Sequence, residues 1–320
     1  MPFREPGSAE RLRQLTAIAQ LSMLGGMPSL PGAFGSADPL ILLLLAMGLE
    51  GYLGGAWLTG LLTAPRARLV RAARELQRRL DRAERGRGAR IVRGWIVTLI
   101  LLLPAFMTGL ALEFVTRNLP YAVLLELPLV AALVRQRGPW QAAALVRDGL
   151  AAGSPQLAEQ ALLRLDPDPA ALTSLENRAL DALGARFADG AVGPVFGYLL
   201  LGLPGLLTIA TLRLLARLYG PDGPFGRAAL LLDRLLLWPA RRFAAVLLAL
   251  ATLFQPQGQS GRAMLLALSG AAPGDVLRSG LGAAFAELNR ALWLYGMACL
   301  LHLGAVAALL LLRLSLVAVD

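Results

Sequence analysis

Lysine is missing from all 320 residues, so a formal net charge of +10 rests on arginine alone. The arginines cluster beside apolar runs and no aromatic stripe is interleaved with them, so a nucleic-acid partner is not expected. An all-arginine choice of base points instead to a GC-rich bacterial genome. The one cysteine, Cys299, lies inside an apolar run, which excludes disulfide frameworks, cysteine-based zinc sites and iron–sulfur clusters. The single histidine, His302, likewise excludes a multi-histidine metal centre. No P-loop, other nucleotide motif or flavin signal is present. The first residues, MPFREPGSAERLRQL, mix acids with arginines and lead into no compact apolar core, so no cleaved signal peptide is expected.

What the chain has in excess is apolar surface. At 56% hydrophobic residues and a mean hydropathy of +0.59, it lies outside the soluble range of roughly 45–50%, and is a membrane protein. A bilayer core needs about 20 apolar residues per helix. Residues 40–62 approach this with Glu50 in the middle; 94–112 and 190–212 carry no charge, the latter broken at Pro204-Gly205; 119–134 are shorter and contain Glu126; 291–312 hold His302. The run at 243–254 is too short to span. Gly51-x-x-x-Gly55 would permit close helix packing.

Orientation follows from arginine. Residues 64–93 carry eleven arginines against three acids, which assigns that loop to the cytoplasm and the N-terminus to the outside. Alternation returns 135–189 to the cytoplasm as a helical insert, with a turn at DPDP. If 190–212 crossed fully, the arginines that follow would lie outside, against the rule. A re-entrant pair, 190–203 and 205–219, turning at Pro204-Gly205, resolves the conflict, and such a break at depth implies a protein-lined cavity. A Pro-kinked full span is the other reading. The expected architecture is an all-α polytopic membrane bundle of about four or five crossing helices, one broken or re-entrant. Residues 1–39 form an N-terminal segment and 40–320 a single multi-pass domain in the bacterial inner membrane, with the lipid bilayer as partner.

The order of landmarks from 141 to 241 resembles the CobD/CbiB family. The matching pieces are Asp168 in a turn, Asp189-Gly190 with Pro194 and Phe196, Gly202 with Pro204-Gly205, Gly220, Phe225-Gly226 with Ala228, Asp233, and Pro239-Ala240-Arg241. Glu50, Gly54 and Gly60 fall where the family has an in-membrane acid and two glycines. There are departures. The family's His-Pro is replaced by Gly55-Ala56, its Glu-Asn by Ala185-Arg186, its Asn and a later Asp by Arg213 and Ala216, and the second acid of its Asp pair by Arg234. One residue is missing before Pro239. In lacking these polar groups the chain is also similar to AmpE, a related membrane protein linked to β-lactamase induction.

The resemblance implies a cobalamin-pathway reaction like that of adenosylcobinamide-phosphate synthase, in which ATP activates a propionate of adenosylcobyric acid and an aminopropanol unit attacks it to form an amide. It implies ATP, Mg²⁺ and a corrinoid substrate. Asp189 and Asp233 are then the expected catalytic residues and magnesium ligands, Glu50 is a further catalytic candidate, and Arg241, Arg213 and Asp168 are the phosphate- or substrate-binding residues. The residues also allow plainer roles. Asp189 could cap the helix that follows it, Asp233 could pair at the surface, and Arg241-Arg242 could snorkel. Glu50 at mid-bilayer costs roughly 2.5–3.5 kcal/mol and so implies pairing or function. His302 and Glu126 could face a cavity or a neighbouring helix. An AmpE-like regulatory or assembly protein without catalysis, acting on a protein partner, is the alternative.

Overall fold

The computed structural model describes residues 38–54, 56–82, 86–118, 123–165, 174–220, 223–255, 258–281 and 288–318. Asp168 and all but the end of the N-terminal segment lie outside these residues. The described residues form helices and no strand, as a composition rich in Leu, Ala and Arg favours. They are α1 (Pro39–Leu53), α2 (Ala56–Leu80), α3 (Arg87–Asn118), α4 (Val123–Leu133), α5 (Arg137–Ala151), α6 (Pro155–Leu165), α7 (Leu175–Arg186), a π-helical turn (Phe187–Val192), α8 (Gly193–Tyr219), α9 (Arg227–Ala251), a 3₁₀ turn (Thr252–Phe254), α10 (Ser260–Ser269), α11 (Pro273–Leu281) and α12 (Leu288–Val317). Among the described residues, four helical stretches are long and apolar enough to cross a membrane: Arg87–Asn118, Leu175–Tyr219, Arg227–Phe254 and Leu288–Val317. Ile96, Leu99 and Leu103 of α3 and Leu309 and Leu312 of α12 point outward, a surface that hydrocarbon satisfies and water does not. The protein is an all-α polytopic membrane bundle.

Local chemistry sets the ends. Asp38 caps α1 by accepting from the Leu40 amide at 3.0 Å, ahead of Pro39 in the first turn. The apolar run 40–62, expected as one span, is divided: α1 stops at Leu53, Gly54 takes φ +70°, and the arginine-rich α2 starts at Ala56. The Gly51 face of α1 meets nothing within 4 Å, so the expected glycine-mediated packing is not seen on that side; Gly55 lies outside the described residues. The run 243–254 is the second half of α9 and its 3₁₀ extension, a longer helix than the apolar stretch alone suggested.

The break in α8 is a hairpin. Its turn lies at Gly202 (φ +65°, ψ −146°), two residues before the expected Pro204-Gly205. That backbone is open essentially to glycine alone, whereas Pro204 has a helical φ and sits comfortably in the first turn of the second half. The halves, 193–201 and 203–219, run back along each other: a methyl placed on Gly197 would come within 3.0 Å of the Gly205 carbonyl oxygen and 2.6 Å of Ile209 Cδ1. The second half is about 25 Å long. α3 packs beside it throughout, with Gly109 against Pro204 and Gly94 against Phe225.

These contacts define two levels. At the hairpin tip, Glu113 of α3 lies against Gly202, and Tyr198 donates to Glu126 of α4 at 2.7 Å. At its base are Asp189 and Gly190, which accepts the Arg135 amide at 2.7 Å after α4 has returned. α1 and α12 are antiparallel, since Arg313 pairs with Asp38 at 3.0 Å while Glu50 and Tyr295 both reach the segment at 136.

Replacing Gly202 with alanine forces φ +65° on a Cβ and brings that atom to 2.7 Å from the Glu113 carboxylate. A loss of about 1–3 kcal/mol is expected in thermal or denaturant unfolding of the detergent-solubilised protein. Gly48→Ala, on an exposed helical face with nothing within 4 Å, is the control and is expected to be neutral or mildly stabilising.

Candidate functional site

Four of the sequence-predicted residues meet at the hairpin base. The Asp189 carboxylate forms an ion pair with Arg213 from the second half, whose Nη1 also donates to the Asp189 carbonyl at 2.6 Å. Arg217, one turn on, is 3.7 Å from the same carboxylate. Arg241 of α9 reaches Asp189 at 3.4 Å and pairs with Asp233 two turns before it in α9. Asp233 and Arg213 are buried. The readings of Asp189 as a helix cap, Asp233 as a surface partner and Arg241 as a snorkelling residue therefore do not hold: Asp189 lies in the π-helical turn that joins α7 to α8, and all three side chains turn inward. Arg242 instead lies 5.3 Å over the exposed Trp238 ring.

A cavity of about 760 Å³ opens in front of this network. α2 contributes Leu62, Pro65, Arg66 and Leu69; the start of α5, with the residues before it, adds Arg135, Pro139, Trp140 and Gln141; α6 and α7 add Arg164 and Arg186; the hairpin adds Asp189, Pro194, Thr211, Arg213 and Arg217. Six arginines face only two acids, Asp148 and Asp189, a formal excess of four positive charges. Asp148 is already held by Arg147 at 2.7 Å. Arg66, Arg135 and Arg164 form no ion pair among the described residues. Burial, then the nearby charges of Arg66 and Arg186, pull the Arg135 guanidinium below its ordinary value, and the Glu50 carboxylate offsets this only in part. Such a lining suits a multiply charged anion with an apolar part.

Glu50 stands behind this wall. It is buried, and its carboxylate accepts the amides of Gln136 at 2.9 Å and Arg137 at 3.1 Å. Tyr295 donates to the Gln136 carbonyl at 2.8 Å. With the Arg135 amide on Gly190, three consecutive residues are fastened to α1, α12 and the hairpin base, and this fixes where Arg135 enters the cavity. Glu50, Asp233 and Arg241 do not line the cavity; they hold the residues that do. Glu126 faces the hairpin, and His302 is buried edge-on to Phe187 and Phe243, each at 6.2 Å.

The carboxylates do not fit a resident magnesium ion. Asp189 faces three guanidinium groups and Asp233 shares one of them, so their charge is compensated before any cation arrives. Asp233 Oδ1, buried and without a hydrogen-bond partner among the described residues, is one oxygen where an octahedral ion needs several. No cluster of three or more His, Cys, Asp or Glu able to hold a metal occurs among the described residues. Sequence reasoning missed Arg66, Arg135, Arg164 and Arg217 as parts of one site. Two signals were present: Arg186 is a basic residue where the family pattern has an amide, and Arg66 lies in the basic loop 64–93, which could steer a substrate phosphate as well as set topology.

Three curated relatives share the name "Cobalamin biosynthesis protein CobD". The protein of Rhizobium meliloti (strain 1021) is 33% identical over 223 residues, 66% of this chain and 68% of its own. That of Sinorhizobium sp is 30% identical over 217 residues, 65% and 67% of the two chains. That of Sinorhizobium fredii (strain NBRC 101917 / NGR234) is 28% identical over 221 residues, 66% and 68%. No family model and no solved structure matches the chain. With a third of the aligned residues shared across two thirds of the Rhizobium meliloti protein, the chain belongs to the CobD family.

Proposed function

We propose that this protein catalyses the ATP-dependent amide formation of cobalamin biosynthesis, joining adenosylcobyric acid to aminopropanol or its phosphate as an adenosylcobinamide-phosphate synthase does, in the bacterial inner membrane. The arginine-lined cavity at the hairpin base carries the reading. Adenosylcobyric acid is larger than a space of about 760 Å³ encloses, so the macrocycle sits at the mouth and its propionate arm enters. Carboxylate and phosphate groups inside would meet Arg66, Arg135 and Arg164, which form no ion pair among the described residues, and Arg213 and Arg217, which Asp189 orients. Guanidinium groups fixed in advance stabilise negative charge as it builds on a phosphoryl oxygen or on the tetrahedral carbon of amide formation. Trp140 and Leu69 offer apolar contact to the rest of the ligand.

The magnesium reading of Asp189 and Asp233 is replaced here by a role as counter-ions that aim arginines. The same closed carboxylate–arginine network favours a second reading, a non-catalytic AmpE-like regulatory or assembly protein, and one experiment separates the two. Purified protein is mixed with adenosylcobyric acid and followed by visible absorbance through gel filtration, then supplied with ATP, Mg²⁺ and aminopropanol phosphate. Co-elution and amide product support the enzyme; failure to bind saturating corrinoid supports the second reading.

Arg135→Gln and Arg213→Gln are each expected to weaken corrinoid or nucleotide binding by about tenfold or more, the value of one charge-assisted hydrogen bond. Raising salt from about 0.1 M to about 1 M shortens the screening length from about 10 to about 3 Å and is expected to weaken binding as well. Salt-independent affinity would remove the electrostatic basis of the site. Asp189→Asn leaves the buried Arg213 uncompensated and is expected to cost roughly 3–5 kcal/mol of stability, with Arg213→Gln in the same chain recovering part of the loss in a thermal melt.

A further inference from the structure

α9 with its 3₁₀ extension has the length and apolarity of a crossing helix, yet its neighbours hold it at one level. Just before its first turn, Phe225 lies against Gly94, near the arginine-rich start of α3, and edge-on to Tyr219 at 5.1 Å. Midway, Asp233 and Arg241 flank the hairpin base through Asp189. Phe243 meets His302, the ring that Phe187, two residues before Asp189, also contacts. At its end Thr252 packs on Gly280 of α11, and α11 is fastened to α7 by Arg278 and Asp181 at 2.9 Å, ahead of the same base. None of these stations is at the other level, where Glu113 meets Gly202 and Arg313 meets Asp38. A helix of 25 residues that crossed the bilayer would finish there.

The outward face of α9 is of two kinds. Leu231, Leu235 and Trp238 are 53%, 74% and 59% exposed. Along one edge of them Arg227 and Arg234 project seven residues apart, exposed and without an ion pair among the described residues. This division of apolar and arginine edges, with a tryptophan between them, is that of a helix lying in a membrane interface. Beside it, α3 turns Ile96, Leu99 and Leu103 outward.

We infer that α9 does not cross the membrane but lies in its surface, with Leu231, Leu235 and Trp238 at the boundary of headgroups and acyl chains and Arg227 and Arg234 on the phosphates of anionic phospholipid. The inference is independent of the catalytic reading. Its test uses the full chain with Cys299→Ala, single cysteines at 227–243 carrying nitroxide labels, in nanodiscs of three parts phosphatidylcholine to one of phosphatidylglycerol. Collision with oxygen and with a water-soluble nickel complex reports depth. Expected is an oscillation of period 3.6, with 231, 235 and 238 at one shallow depth and 233 and 237 shielded from both reagents. Depth that increases steadily from 231 to 243 would mean a crossing helix and overturn the inference. Nickel access at 231, 235 and 238 would overturn it too, and point to a protein-docking face. Separately, Arg227→Gln and Arg234→Gln are each expected to reduce phosphatidylglycerol binding about fivefold while the protein stays monodisperse; unchanged lipid binding would refute the role of the two arginines.

Discussion

Across the base of the re-entrant hairpin, Asp189 and Arg213 make a largely buried ion pair on which the site depends. Taking both charges out of water is costly, and their attraction repays it only when the other lone pairs and protons are also satisfied. Arg213 meets that condition by donating to the Asp189 carbonyl too. Arg217 and Arg241 share what remains of the carboxylate. The pair joins the π-helical turn ahead of α8 to the second half of α8, at the end away from Gly202, so one residue sets the turn and two others close the hairpin at its base. Arg241 carries the linkage into α9 and Asp233.

Two layers of charge follow. The inner layer, Asp189, Asp233 and Arg241, is compensated and rigid. The outer layer, Arg66, Arg135 and Arg164, is not, and faces a cavity. An anionic ligand in the cavity would relieve repulsion among these arginines as well as make contacts. Glu50 belongs to neither layer. It is the buried acceptor that gives the irregular segment at 136–137 its hydrogen bonds, which explains an acid in an apolar helix without placing it at the chemistry.

Much of this was legible in order along the chain. Long apolar runs gave the membrane class, the arginine bias after 190–212 implied a re-entrant pair, and Asp189-Gly190 marked its base. The exact turn was not legible, because Pro-Gly is the stronger turn signal in sequence and the decisive property of Gly202 is a ψ visible only in the fold. Nor was the cavity. Arg66, Arg135, Arg186 and Arg217 come from α2, the α4–α5 connection, α7 and α8, and apart from Arg186 each one alone reads as an ordinary arginine at a membrane surface. Asp233 and Arg241 were singled out separately; their spacing by two helical turns put them on one face, but the shared partner, Asp189, comes from another element.

The fastening of residues 135–137 has a consequence for how the chain is made. The segment leaves the ribosome long before Gly190, which accepts the Arg135 amide, and longer still before Tyr295, which holds the Gln136 carbonyl. Until those partners arrive only Glu50 is on hand to accept its amides. Among the described residues that fasten this segment, Glu50 precedes it in the chain while Gly190 and Tyr295 follow it, so the fastening is complete only once the last helix, α12, is in place.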